Sequence, residues 1–66
     1  MMKVVFNENL KTLRKSKGLT QKELADMVGV DQRTISAWEK GICEPGFQML
    51  AHLCEIFNET FDSILT

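Results

Sequence analysis

Two helix-start signals, at Thr20 and at Asp31, leave the stretch between them very little freedom. Thr20-Gln21-Lys22-Glu23 is a capping box: the Thr20 hydroxyl accepts from the Glu23 amide while the Glu23 carboxylate reaches back to the Thr20 amide. Leu19 before that cap and Leu24 four residues after it form a hydrophobic staple. Asp31 repeats the device, with Val30 and Ile35 as its staple. One helix fits between the two caps, burying Leu24, Ala25 and Val28, and Gly29 ends it with the positive φ that glycine adopts most cheaply. The link to the following helix is then only Gly29 and Val30. So short a link makes two helices cross steeply instead of running antiparallel. Ala25 is the small residue at the crossing, where a larger side chain would overpack at a cost of about 1–3 kcal/mol.

The remaining punctuation is helical too. A first helix beginning near Phe6 or Asn7 places Phe6, Leu10 and Leu13 on one stripe, has Lys15 and Lys17 in its last turn where the helix dipole favours cations, and stops at Gly18. The helix after Asp31 turns Ile35 and Trp38 inward and ends at Gly41. A loop through Ile42-Cys43-Glu44-Pro45-Gly46 leads to a fourth helix carrying Phe47, Leu50, Leu53, Cys54 and Phe57. Asn58 is its left-handed stop, and Thr60 caps a last short helix with Phe61, Ile64 and Leu65. Proline occurs once and no segment alternates as a strand would. The expected architecture is all-α, a compact five-helix chain whose 66 residues form one domain with its core over about 6–66. All four phenylalanines are expected in that core.

Composition excludes several classes. A hydrophobic content of 44% with 26% charged residues is that of a globular domain, not of a disordered tail. No apolar run approaches the roughly 20 residues of a membrane span, and the apolar stretch at Met1-Met2-Lys3-Val4-Val5-Phe6 is too short for a signal peptide, so a cytoplasmic protein is expected. Cys43 and Cys54 form no CxxC pair. With His52 they make three candidate ligands, one short of a structural zinc site, and the plain reading is two small apolar side chains in a reducing compartment. A single histidine without a nucleophile partner gives an enzyme nothing to work with, and no metal or cofactor is expected.

The net charge of −1 conceals a polarity. Residues 1–40 hold all eight bases against five acids, a net +3, whereas residues 41–66 hold four acids and no base. Such a division lets one face attract an anionic partner while the other repels it.

The pattern of apolar, small and glycine positions across Leu24–Trp38 is that of a helix-turn-helix, and the whole chain from Phe6 onward resembles the Cro/repressor-type (XRE-like, phage-repressor-like) helix-turn-helix family. The resemblance is carried by Leu13-Arg14, Gly18-Leu19-Thr20-Gln21, Glu23-Leu24-Ala25, Val28-Gly29-Val30, Thr34-Ile35-Ser36, Trp38-Glu39-Lys40-Gly41 and Glu44-Pro45, and continues through Leu50, Leu53, Phe57, Phe61 and Leu65. It implies a five-helix phage-repressor-like DNA-binding domain, dimeric, regulating transcription from a near-palindromic operator.

In such a motif the amino-terminal half of the second helix enters the major groove. Gln32 suits adenine N6 and N7, Arg33 suits guanine O6 and N7, Ser36 suits a neighbouring base and Ala37 a thymine methyl. Phosphate contacts are expected from Thr20, Gln21, Thr34 and Lys40, and by resemblance the Gln21 side chain grips a phosphate and braces Gln32. Lys17 and Lys22 read more simply as surface charge. The resemblance also pairs Arg14 with Glu39, tying the first helix to the end of the third. A pairing surface is expected from Ile64, Leu65 and the loop around Ile42 and Cys43.

Two readings compete. One is a sequence-specific double-stranded DNA-binding regulator, a repressor acting as a homodimer. The other is a protein-interaction module, an antitoxin or anti-repressor that uses the same fold to hold a toxin or another regulator, a reading supported by the acidic carboxy-terminal part and the low net charge.

Overall fold

The computed structural model describes residues 5–66, so the Met1–Val4 stretch and the charge on Lys3 lie outside the described residues. Five helices follow in order: α1 (Phe6–Ser16), α2 (Gln21–Val28), α3 (Gln32–Lys40), α4 (Phe47–Phe57) and α5 (Phe61–Leu65). Among the described residues there is no strand.

Local chemistry sets the ends. Both halves of the Thr20 capping box are made, Glu23 N to Thr20 Oγ1 at 3.0 Å and Thr20 N to Glu23 Oε1 at 2.8 Å. Asp31 accepts from the Arg33 amide at 2.8 Å. Gly29, at φ +87°, turns the chain between α2 and α3 while its own amide and that of Val30 both donate to the Ala25 carbonyl. Asn58 closes α4 at φ +54°, and Thr60 and Ser63 form a second capping box that starts α5. α4 begins on Gly46, and neither it nor α1, which begins after Val5, has a side-chain cap.

Ile35, Leu10, Leu24, Leu53 and Ile64 lie fully buried at the centre, with Phe6, Ala25, Val28, Trp38, Cys54 and Phe57 around them. α5 closes the bundle against α1: the Val5 amide donates to the Leu65 carbonyl at 3.0 Å and Asn9 Nδ2 to the Ile64 carbonyl at 3.1 Å.

Several expectations are corrected here. Leu13 is only half-buried, and Arg14 occupies the inner position of that turn. The apolar stripe of α4 is longer than the core it packs on: Leu53, Cys54 and Phe57 are buried and Leu50 is half-buried, while Phe47 in the first turn is 74% exposed. Phe61, which begins the five-residue α5, is also at the surface and stacks on Phe47 with ring centroids 5.1 Å apart. Ile64, expected on a pairing surface, is core, because it alone of the α5 apolar residues faces fully inward. The two cysteines differ as well. Cys43 is exposed, whereas burial, reinforced by the Glu59 carboxylate, pushes the Cys54 thiol above its usual value and keeps it protonated.

Two glycine substitutions test this account of the turns. Gly29→Ala keeps open space around the new methyl but forces an L-residue to φ +87°, so urea unfolding should show a loss of about 1–2 kcal/mol. Gly46→Ser, at φ −69° and ψ 173° with nothing near its Cβ, supplies the missing cap and should gain about 0.5–1 kcal/mol.

Candidate nucleic-acid interface

α3 is held from behind and open in front. Ile35, Trp38 and Glu39 face the core, while Gln32 and Arg33 in the first turn are exposed and Thr34, Ser36 and Ala37 are half-buried. The Arg33 side chain is 96% exposed, and its 3.5 Å contact with Asp31 is a surface pair of small worth that a better acceptor displaces. The helix therefore presents Gln32 and Arg33 as a projecting pair, with Ser36 and Ala37 one turn further along the same backbone. Lys40 is exposed at the far end of α3, about 12 Å along the axis from Gln32, and so belongs to a different part of any shared surface.

What fixes the helix is a buried polar cluster. Arg14 Nε donates to Glu39 Oε2 at 2.6 Å and Arg14 Nη2 to Glu39 Oε1 at 3.1 Å, a two-pronged pair joining α1 to the end of α3. The third prong, Nη1, donates to the Leu19 carbonyl at 2.7 Å, just before the cap of α2. Gln21, the first residue of α2, completes the cluster by donating from Nε2 to Glu39 Oε1 at 3.2 Å. The expected brace between Gln21 and Gln32 is not what its amide makes: Nε2 is engaged by Glu39, because a buried carboxylate with a free lone pair is the strongest acceptor within reach. That link was not legible in the sequence, since eighteen residues separate the partners and only the α2–α3 crossing brings them together.

Thr20 and Gln21 sit together at the start of α2, where the Thr20 oxygen serves the cap but its hydroxyl hydrogen remains free to donate. Lys22 contacts Asp26 at 3.7 Å with both side chains largely exposed, an ordinary surface pair.

Comparison with known proteins places this geometry. The sequence model described as helix-turn-helix matches residues 10–64. The HTH-type transcriptional activator BcrR of Enterococcus faecalis is 39% identical over 61 residues, covering 92% of this chain but 30% of BcrR. The antitoxin PezA of Streptococcus pneumoniae is 31% identical over 61 residues, again 92% of this chain and 39% of PezA. The chain thus spans about a third of the length of these curated relatives. Among solved structures, the P22 c2 repressor in complex with a synthetic operator superposes with a TM-score of 0.86 at 31% identity, covering 92% of both chains.

Removing one member of the buried pair should expose its weight. Arg14→Ala leaves the Glu39 carboxylate buried without its cation and should cost about 3–5 kcal/mol in urea or thermal unfolding, most of the stability of a chain this size. Replacing both partners together by methionine should cost far less.

Proposed function

This chain belongs to the helix-turn-helix family, and we propose on that footing that it is a sequence-specific double-stranded DNA-binding transcriptional regulator, a repressor acting as a dimer on a near-palindromic operator. The observation that carries the reading is the exposed first turn of α3, rigidly backed by Ile35, Trp38 and Glu39 yet free at Gln32 and Arg33. In the major groove, Gln32 pairs with adenine, Arg33 with guanine, Ser36 with a neighbouring base, and Ala37 admits a thymine methyl. Thr20, Gln21, Thr34 and Lys40 grip phosphates and set the register. The 66 residues act as one DNA-binding domain, in the cytoplasm; among the described residues no helix is long and apolar enough to cross a membrane.

The dimer forms through the stacked Phe47 and Phe61 together with Ile42, which is 73% exposed, in place of the buried Ile64. A dimer reading two half-sites one turn of B-form DNA apart requires its reading helices about 34–36 Å apart. The likeness to PezA favours a second reading, in which the same face holds a protein partner. Failure to retard any duplex at low salt would support that alternative.

Selecting bound sequences from a random duplex pool tests the main reading directly, and a two-fold motif is the expected outcome. On that operator, Arg33→Ala should weaken binding by about tenfold or more and relax preference at one base per half-site. Equal loss on every sequence would remove Arg33 from base reading. Phe47→Asp should leave the fold intact, because the side chain is largely outside the core, and shift sedimentation equilibrium to monomer. A variant that remains dimeric would move the interface elsewhere.

A further inference from the structure

We propose that Glu39 is a positioning residue for the DNA backbone: it holds the Gln21 carboxamide so that one of its N–H groups is presented, already oriented, to a phosphate. This rests on the DNA-binding reading above and adds to it the origin of that phosphate grip.

The argument begins with what a buried carboxylate allows. The Glu39 side chain is 3% exposed and accepts only; Arg14 fills Oε2 through Nε and one site of Oε1 through Nη2. A second site on Oε1 remains, and Gln21 Nε2 takes it at 3.2 Å. The amide orientation is dictated by chemistry, because turning the Gln21 oxygen inward would set it against Glu39 Oε1 with no hydrogen between them. A carboxamide nitrogen carries two hydrogens. With one engaged by Glu39, the other diverges from it, and no other acceptor among the described residues takes the Gln21 amide. Gln21 is half-buried at the start of α2, beside the exposed Thr20.

An unrestrained surface glutamine loses rotamer freedom when it grips a ligand, and a restrained one has already lost it on folding. Arg14 matters here twice over. It fixes Glu39, and its charge balances the carboxylate that would otherwise repel a phosphate near Gln21. The buried pair thereby links the end of the reading helix to the backbone contact at the start of α2.

A double-mutant cycle separates this from plain structural support. Operator and unrelated duplexes are titrated with the wild type, Gln21→Met, the paired replacement Arg14→Met with Glu39→Met, and the triple variant, each across a salt series. Gln21→Met should bind both duplexes about tenfold more weakly with an unchanged salt slope, since a neutral amide releases no counterion. The paired replacement, its fold checked by thermal melting, should lose a similar factor, and the triple variant no more than either alone. Independent losses that multiply to about a hundredfold would overturn the proposal, as would a paired replacement that keeps wild-type affinity. A second measurement needs no variant: in the free wild type, one Gln21 amide hydrogen should exchange more slowly than those of the exposed Gln32 and Gln48. Equal exchange at all three would also overturn it. A wild type that binds no duplex sinks the functional reading with it, whereas tight binding indifferent to Gln21→Met sinks only this inference.

Discussion

The two-pronged bond between Arg14 and Glu39 is the constraint on which the rest of the molecule depends. Taking both charges out of water is unfavourable, and burial of this kind is weak evidence for stability in itself. What it provides is geometry. A guanidinium offers donors in a fixed planar fork, so satisfying Glu39 and the Leu19 carbonyl together sets the angle and separation of α1, the entry to α2 and the end of α3 at once. Apolar packing around Leu24, Ala25 and Ile35 would tolerate small rotations of α3. The polar cluster adds directional, charge-assisted bonds that lengthen when the end of α3 shifts.

That division of labour explains how so small a chain presents a defined surface. The core is a single cluster centred on five fully buried aliphatic side chains. It brings five helices together and backs α3 through Ile35 and Trp38, leaving Gln32 and Arg33 on the outer side. The inner face of α3 contributes a charge to the cluster as well as Ile35 and Trp38, and its outer face is left for polar side chains with no partner among the described residues beyond the loose contact of Arg33 with Asp31.

The opposite part of the chain follows a different logic. Residues 41–66 carry acids and no Lys or Arg, and they also expose Ile42, Phe47 and Phe61. Exposed apolar side chains on an acidic background are poorly suited to a polyanion and suited to protein contact. The exposed first turn of α3 and these exposed apolar side chains thus lie in parts of the chain with opposite net charge.

The sequence by itself determined the elements and their ends. The Thr20 capping box, the Asp31 and Thr60 caps, Gly29 and the Asn58 stop act within a few residues, so their chemistry is complete in the local string, and the exposure of Gln32 and Arg33 followed from the period of α3. Even the Arg14–Glu39 link was legible, though through family resemblance and not through spacing. Only the tertiary structure decided where the core stops. Phe47 and Ile64 both read as apolar positions on helical stripes, yet one lies outside and the other at the centre, because burial depends on how far the neighbouring helices extend. The partner of Gln21 was decided in the same way: a side chain's hydrogen bond goes to the strongest acceptor within reach, and which acceptor is within reach is fixed by the crossing of α2 and α3, not by the residues beside it.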